Sequence, residues 1–344
     1  MKIISADRAI SKFPYPVVAL GNFDGLHLGH QAIIRQVIER AQEMKGTSMV
    51  FTFEPHPLKV LAPERMPKLL TNFDEKMALL EAIGIQVVIC AKFTKPFSNQ
   101  TPRQFVKKYL RRRIKAREVY AGYDFAFGKD REGRAIDLKK IADEMGLQVE
   151  IIGPVMKDGV IVSSSRIREY LQAGRVAEAA RLLGRPYSIK GKVRGGIQRG
   201  RKLGFPTANL YAPLEEALPA NGVYVTEGMM GTNPMPSVAY IGTQPTFGHH
   251  PIRVEVHLIN AKKRLYGRAL RVVFFEWLRG EMTFDTKSEL IAQIQRDVQQ
   301  TQAYFEAQRR RAQAAAVIPP SKPLRAPRVK PRASSDRGGE QIRK

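Results

Sequence analysis

The stretch that most constrains the fold of this chain is Gly21–His30, with the sequence GNFDGLHLGH. A short apolar segment precedes it and predicts a buried strand, while apolar residues at helical spacing follow it. The stretch must therefore turn a strand into a helix, and its three glycines allow a tight turn and the close approach of a ligand. Because a helix N-terminus offers unpaired N–H groups, the sequence predicts a phosphate-binding turn to which His27 and His30 contribute imidazoles.

At the level of the residues, this turn could also have a purely structural role or bind a metal. A glycine-rich turn before a helix is common and is weak evidence of function by itself. His27 and His30 could be metal ligands, but a zinc site needs a third ligand, and the only cysteine, Cys90, lies in no CxxC pair. In the phosphate interpretation, which we favour, the binding positions are Gly21, Phe23, Asp24, Gly25 and Gly29.

Strands and helices alternate through the first half of the chain. The predicted strands span residues 15–20, 48–53, 86–90, 118–123 and 148–152, and the predicted helices span 74–83, 102–114 and 136–145. This alternation predicts an α/β domain with a doubly wound, Rossmann-like parallel sheet. Ligands of such sheets bind beyond the carboxyl ends of the strands, and the Gly21–His30 turn lies at such an end.

Two further turns are predicted to lie at the same edge of the sheet, and a serine motif later in the chain is a third candidate. Pro55-His56-Pro57 forms a stiff loop after the second strand, and Asp124 follows the strand that begins at residue 118. Ser163-Ser164-Ser165 begins a helical pattern with Arg168 one turn inside, so hydroxyls, N–H groups and a guanidinium can hold phosphates together. The alternatives are a plain structural turn at His56 and ordinary helix capping by the serines.

The pattern changes after Leu183-Gly184-Arg185-Pro186. Short strands between Gly/Pro turns are predicted at 189–193, 222–230, 237–241, 254–259 and 270–278, which indicates an antiparallel β-barrel. A closing helix is predicted from Thr286. From Ala312 onward the chain is rich in Ala, Pro, Arg and Lys, which predicts a disordered tail. The predicted division is therefore a sheet domain at 1–185, a barrel domain at 186–311 and a basic tail at 312–344.

A second candidate site lies in the barrel half. Gly195 and Gly200 have the spacing of a P-loop, but Arg201-Lys202 stands where a Walker A motif has Lys-Ser/Thr, so a flexible basic loop over phosphates is the better interpretation. Thr207 and Asn209 follow this loop in a predicted strand and share one of its faces. A hydroxyl and an amide oxygen are suitable ligands for Mg²⁺, but by itself the tetrapeptide PTAN is more often an ordinary turn or strand entry.

Glu255 is a further residue of interest in the barrel half. It alternates with Val254 and Val256 in a predicted strand, so it faces away from the core if the valines face inward. An ordinary exposed glutamate on a barrel is the alternative.

The composition limits the class of protein. The net charge is +25, which raises a nucleic-acid hypothesis. However, residues 309–344 hold eleven Lys/Arg against two Asp/Glu, and no RNP, KH, zinc-finger or helix-turn-helix signature is present. No apolar stretch is long enough to cross a membrane, and the first ten residues are no signal peptide. With a single cysteine, we expect a cytoplasmic protein with no membrane partner and no specific nucleic-acid partner.

These motifs together resemble a known family. His-x-Gly-His after a first strand is similar to the nucleotidyltransferase superfamily, and the longer GNFDGLHLGHQ resembles the bacterial bifunctional riboflavin kinase/FMN adenylyltransferase family. FEPHP, DFAFG, SSSRIR and GxxxGRxxGFPTANL also resemble its motifs, from Val17 to Phe305. Ser165 stands where the family usually has threonine, and Asn260 stands where an aspartate is usual.

The resemblance implies two reactions. The barrel would phosphorylate riboflavin with Mg-ATP to give FMN, with Glu255 as the base, Thr207 and Asn209 on Mg²⁺, and Gly191 and Arg201 on ATP. The sheet domain would then transfer AMP from a second ATP to FMN and give FAD and pyrophosphate.

For the sheet domain, the resemblance implies that His27, His30 and Arg168 stabilise charge on the triphosphate. The five phosphate-binding positions of the turn, together with Asp124, Ser164 and Ser165, would bind ATP, and Pro55-His56-Pro57 would contact the flavin. The partners are then small molecules, and the oligomeric state is not predicted. A nucleotidyltransferase for another phosphate acceptor is the alternative.

Overall fold

The structure is a computed structural model that describes residues 1–317 apart from 9, 11, 195–199, 201–202, 212–214, 243–252 and 262–265. Met1–Ala303 forms one compact unit, which holds both the sheet and the barrel, and a second unit begins at Tyr304. The observed architecture confirms the predicted class, an α/β sheet followed by an antiparallel barrel and a helix.

The first half is built on a six-stranded parallel sheet. Its strands are β1 (Lys2–Ser5), β2 (Pro16–Leu20), β3 (Thr47–Glu54), β4 (Val87–Lys92), β5 (Glu118–Gly122) and β8 (Gln148–Ile152), in the order β1-β4-β3-β2-β5-β8. Every residue of β2 is buried, because helices cover the sheet on both faces. The strand order reverses direction between β2 and β5, and such a switch point is where doubly wound sheets bind ligands.

Helices and short hairpins surround this sheet. The α-helices are α1 (Leu28–Glu43), α2 (Pro57–Leu61), α3 (Phe73–Ile83), α4 (Lys95–Ser98), α5 (Pro102–Phe105), α6 (Ala135–Asp143), α7 (Ser164–Gln172) and α8 (Val176–Leu183). A π-helix at Val106–Ile114 continues α5, and 3-10 turns occur at Pro63–Arg65 and Lys129–Arg131. Two small hairpins pair β6 (Ala126–Phe127) with β7 (Gly133–Arg134) and β9 (Met156–Lys157) with β10 (Val160–Ile161).

The second half is a closed antiparallel barrel. Its strands are β11 (Tyr187–Arg194), β12 (Ala208–Tyr211), β13 (Gly222–Met230), β14 (Asn233–Gly242), β15 (Arg253–Leu258) and β16 (Ala269–Arg279), in the order β11-β12-β15-β14-β13-β16. Alternate residues such as Ile189, Val256 and Val272 fill the interior, and the intervening residues face outward.

The last described element is α9 (Lys287–Val317). This helix continues past Ala312, where the tail was predicted to begin, so the described residues 312–317 are helical rather than disordered. Alanine is the strongest helix former, and the segment from Ala312 to Val317 contains four alanines. The rest of the predicted tail, residues 318–344, lies outside the described residues.

Candidate active sites

The Gly21–His30 turn joins β2 to α1 and brings its two histidines together. His27 is the N-cap of α1, and its Nδ1 accepts the backbone N–H of His30 at 3.3 Å. The two imidazole rings stack with centroids 3.6 Å apart and an angle of 16° between their planes. A Cβ at Gly29 would lie 3.2 Å from two atoms of the His27 ring, so the stacked pair depends on glycine there.

Both imidazoles are neutral at pH 7. Burial lowers the pKa of His27 to about 4, and the nearby positive charges of Arg168 and Arg185 add to the effect. The pKa of His30 lies well below its ordinary value, chiefly because burial disfavours the charged ring. Among the described residues, His30 Nδ1 is a buried side-chain atom with no hydrogen-bond partner. A buried polar atom without a partner is costly, which points to a ligand at this atom.

Asp24 and Arg168 form an ion pair beside the turn. The other carboxylate oxygen of Asp24 accepts the backbone N–H groups of Leu70 at 2.9 Å and Thr71 at 3.2 Å. Burial raises the pKa of the Asp24 carboxyl, and the Arg168 charge and these two donors oppose the rise. The pair therefore holds the guanidinium at the edge of the sheet with a defined orientation.

The serine segment lies against the same turn. Ser163 is the N-cap of α7, since its hydroxyl accepts the Arg166 N–H at 3.2 Å. The Ser164 hydroxyl donates to the Asp24 carbonyl at 3.0 Å. Ser163 thus caps the helix, and the neighbouring Ser164 joins the helix to the Gly21–His30 turn.

A cavity of about 390 Å³ opens above β2 and β5. It brings together most of the residues predicted for the sheet domain. These are Gly21, Phe23, Asp24, His30, His56, Pro57, Asp124, Ser164, Ser165 and Arg168. His27, Gly25, Gly29 and Pro55 are not among its lining residues. Gly25 has a φ of +80°, and a Cβ there would lie 2.7 Å from Leu70 Cδ1. Glycine at this position therefore allows the backbone to adopt the shape of the turn.

One end of this cavity is aromatic, which the sequence did not lead us to expect. The phenylalanines that line it are Phe53, Phe93, Phe97, Phe105, Phe125 and Phe127. Phe125 and Phe127 stack at 5.5 Å, and Phe53 meets Phe93 edge to face at 5.8 Å. Their positions in the sequence could have indicated this cluster, because Phe53 and Phe93 lie at the carboxyl ends of neighbouring strands.

The His56 loop borders the aromatic end. His56 is the N-cap of α2, and its Nδ1 accepts the Leu58 N–H at 3.2 Å. Burial lowers the pKa of His56 to about 4, so this imidazole is also neutral near pH 7.

Lys76 is a second residue that the sequence patterns did not single out. It lies on α3 with a buried side chain, and its ammonium donates to the Asn22 carbonyl at 3.4 Å. Burial lowers the pKa of Lys76, while the carboxylates of Glu54 and Asp24 oppose the change. Lys76 lines a neighbouring cavity of about 420 Å³, and Glu215 and Glu216 also line it. Helical periodicity alone places position 76 beside the core residue Met77 and does not reveal this cavity.

In the barrel, Glu255 and Asn209 are direct neighbours on adjacent strands. Residue 255 of β15 pairs with Asn209 of β12 on one side and with Tyr240 of β14 on the other. Val254 and Val256 are fully buried while Glu255 is half-buried, so its side chain faces away from the barrel interior. The Tyr240 hydroxyl donates to Glu281 Oε1 at 2.6 Å, and burial with that hydrogen bond raises the Tyr240 pKa.

Thr207 lies immediately before β12, at the entry to the strand, and Asn209 is the second residue of β12. The chain turns sharply here, because the Phe205 N–H donates to the Gly200 carbonyl at 2.8 Å. A Cβ at Gly200 would lie 3.3 Å from Thr207 Oγ1. Thr207 therefore stands beside the glycine loop at the entry to the strand that carries Asn209.

The remaining predicted residues of the barrel are Gly191 and Arg201. Gly191 lies within β11 and pairs with Leu270 of β16. Arg201 lies outside the described residues. Across the described ranges, no three His, Cys, Asp or Glu side chains are grouped so as to hold a metal ion. Within the same ranges, every helix is too short or too polar to span a membrane.

Comparison with known proteins matches both halves of the chain. A family model described as FAD synthetase matches residues 11–166, and one described as riboflavin kinase matches residues 183–305. A protein of Escherichia coli K12 named bifunctional riboflavin kinase/FMN adenylyltransferase is 36% identical over 309 residues, which cover 89% of this chain and 98% of that relative. A Bacillus subtilis protein of the same name is 35% identical over 295 residues, which cover 84% and 92%.

One solved structure resembles nearly the whole chain. The crystal structure of a Streptococcus pneumoniae protein named macrolide-efflux protein superimposes with a TM-score of 0.80 at 30% identity, and covers 88% of this chain and 99% of that one.

Proposed function

This chain belongs to the family of bifunctional riboflavin kinase/FMN adenylyltransferases, and from that premise we propose which of its residues carry each reaction. The enzyme phosphorylates riboflavin with ATP to give FMN. It then transfers AMP from ATP to FMN, which gives FAD and pyrophosphate. The observation that carries the residue assignment is the cavity above β2 and β5, where motifs distant in sequence line one space.

We assign adenylyl transfer to that cavity. The FMN phosphate attacks the α-phosphorus of ATP, and pyrophosphate leaves. His27 Nδ1 accepts a hydrogen bond, so its neutral ring carries the proton on Nε2 and can donate from there. His27 and His30 donate to triphosphate oxygens, and these bonds strengthen as charge grows in the transition state. A covalent enzyme intermediate is unnecessary, because both reactants bind side by side.

The other residues of the cavity bind the two substrates. Arg168, with Ser164 and Ser165, receives the β- and γ-phosphates and neutralises the departing pyrophosphate. Asp124 accepts hydrogen bonds from the nucleoside of ATP. Gly21, Phe23, Asp24, Gly25 and Gly29 shape and hold the phosphate-binding turn.

The flavin ring is assigned to the aromatic end of the cavity. Isoalloxazine is a large flat ring system, and phenylalanine faces and edges bind such rings through dispersion and ring-ring contacts. The Pro55-His56-Pro57 loop closes this end, and a neutral His56 adds no charge beside the apolar ring.

We assign the kinase reaction to the outer face of the barrel. Glu255 takes the proton of the terminal ribityl hydroxyl of riboflavin, and that oxygen attacks the γ-phosphate of ATP, so that FMN forms and ADP leaves. Gly191 and Arg201 bind ATP. Thr207 and Asn209 would hold Mg²⁺, since their hydroxyl and amide oxygens fit its preference for oxygen ligands and Asn209 adjoins Glu255. When bound, Mg²⁺ neutralises phosphate charge.

The assignment also covers location and partners. We propose a cytoplasmic enzyme whose partners are riboflavin, FMN and ATP, without specific nucleic acid or a membrane. The support is the single cysteine and the absence of a nucleic-acid signature in the sequence.

The test is to incubate the purified chain with riboflavin and Mg-ATP and to separate the flavins by chromatography over time. We expect FMN to appear first and FAD to follow, and FMN supplied alone with Mg-ATP should also yield FAD. Excess EDTA should stop the kinase step. Adenylylation of another phosphate acceptor in preference to FMN would overturn the assignment and favour a nucleotidyltransferase of different substrate.

A further inference from the structure

A short segment of the sheet domain, residues 68–72, is held by the barrel domain on one side. We call it the bridging segment. The Leu69 N–H donates to the Glu215 carbonyl at 2.7 Å, and the Ala217 N–H donates to the Leu69 carbonyl at 2.8 Å. Residue 69 thereby pairs with Glu216 as a parallel β-bridge. The side-chain amide of Asn72 also donates to Glu216 Oε1 at 2.8 Å.

The other side of the bridging segment forms hydrogen bonds with residues of the proposed adenylyl-transfer site. The Lys68 carbonyl accepts from Arg168 Nε at 2.6 Å. The backbone N–H groups of residues 70 and 71 donate to the Asp24 carboxylate, and the Thr71 hydroxyl accepts the Gly25 N–H at 3.0 Å. Residues 68, 70 and 71 thus bond to the site, while residues 69 and 72 bond to the barrel.

The Glu216 side chain is almost fully buried, and its bond to Asn72 joins the barrel to the start of α3. Asn72 is also the N-cap of α3, because its Oδ1 accepts the Glu75 N–H at 2.9 Å. A buried carboxylate is tolerated only when hydrogen bonds compensate its lost hydration. The barrel segment 215–217 is therefore joined by hydrogen bonds to residues 68–72, which in turn bond to Asp24 and Arg168.

We infer that Glu216, a residue of the riboflavin kinase half, is a positioning residue for adenylyl transfer in the other half. It acts through Asn72 and the bridging segment, which orient Asp24 and the guanidinium that receives the phosphates of ATP. This inference rests on the proposed role of Arg168 in adenylyl transfer. It makes the barrel a structural component of the FAD-forming site.

The test reverses the hydrogen bond between the two side chains. Asn72→Asp keeps the Oδ1 cap of α3 but replaces the amide donor with an acceptor that faces Glu216. We expect kcat/KM for ATP in FMN adenylylation to fall at least about tenfold, the range expected when a buried charged group loses its partner. KM for ATP should rise, while riboflavin phosphorylation by the same protein stays within about twofold of wild type and reports correct folding.

Rescue separates positioning from general damage. In the double variant Asn72→Asp/Glu216→Gln, the glutamine amide can donate to the aspartate, so the bond re-forms with its polarity reversed. FMN adenylylation should recover to within about threefold of wild type. Asn99→Asp makes the same chemical change at an exposed position of the same domain, and it should leave both reactions unchanged.

Two results would overturn the inference: an Asn72→Asp enzyme that adenylylates FMN like wild type, or a double variant that remains as impaired as Asn72→Asp. Equal loss of both reactions would also count against it, because that pattern indicates misfolding rather than positioning. A wild-type protein that forms no FAD from FMN would instead refute the proposed function.

Discussion

At the scale of single residues, the sheet site works with uncharged imidazoles. Burial holds the pKa of His27 to about 4 and that of His30 well below 6.5, so neither ring carries a positive charge near pH 7. In the proposed adenylyl transfer, their contribution to triphosphate binding is hydrogen-bond donation, while Arg168 supplies the charge.

The lowered pKa values of His27 and His30 make the free energy of unfolding depend on pH. Below pH 6.5 the unfolded chain binds protons at both histidines and the folded chain does not, so stability falls as the pH drops from 6.5 toward 4. Each histidine contributes up to about 1.4 kcal/mol per pH unit in this window. We predict that His30→Gln loses less stability than wild type between pH 6.5 and 5, measured by urea unfolding and referenced to pH 8. An equal or steeper loss in the variant would contradict the buried neutral state of His30.

The sequence predicted those site residues whose positions follow from local pattern. A turn between a strand and a helix places Gly21–His30, and the carboxyl ends of parallel strands bring His56 and Asp124 to the same edge. Lys76 was missed because its cavity exists only where the barrel meets the sheet domain. The pairing of Glu255 with Asn209 likewise depends on strand register, which joins residues far apart in the chain.

At the scale of elements, an ion pair connects α9 to the barrel. Arg279 at the end of β16 donates to Asp297 from Nε at 3.1 Å and from a terminal nitrogen at 2.8 Å, and Asp297 is only 2% exposed. Removal of one partner from such a pair leaves a buried charge uncompensated.

We predict that Asp297→Ala destabilises the protein by about 3–5 kcal/mol, because the Arg279 guanidinium loses its anionic partner in a largely buried site. Chemical unfolding followed by circular dichroism measures the change. The exposed Asp285 offers a matched control, and Asp285→Ala should change stability by less than about 0.5 kcal/mol. Similar effects of the two substitutions would show that the ion pair does not dock the helix.

Helices and strands with a strongly periodic hydrophobic pattern were predicted well. The remaining elements show where such a pattern does not predict the structure. The five predicted strands of the sheet and the five of the barrel are all present; the strands at 148–152 and 222–230 have the predicted bounds, and the others have shifted ends. The edge strand β1 was missed because Lys2–Ser5 is short, half-exposed and neither apolar nor alternating. The π-helix at Val106–Ile114 was predicted as part of one regular helix, since its buried residues recur at α-helical spacing. The helical residues 312–317 were assigned to the tail from overall composition, although their alanines favour helix.

At the scale of the whole molecule, both proposed sites precede the basic C-terminal segment. Residues 318–344 contain none of the motifs of either site, and the two family matches end at residues 166 and 305. We predict that a chain ending at Val317 retains both activities within about twofold, measured from riboflavin and from FMN. A folded truncated protein that loses either reaction would show that the tail takes part in catalysis.

The central claim is that one chain carries two chemically separate sites, and reciprocal point variants test it most directly. The measurement is a time course of FMN and FAD, separated by chromatography, from riboflavin and Mg-ATP and from FMN and Mg-ATP. Glu255→Gln removes the proposed base, so FMN formation should fall about 10²–10⁴-fold while supplied FMN still becomes FAD. His30→Ala should do the reverse, so that FMN accumulates and FAD formation falls about 10²–10³-fold. Equal loss of both reactions in either folded variant, or normal phosphorylation of riboflavin by Glu255→Gln, would contradict the claim.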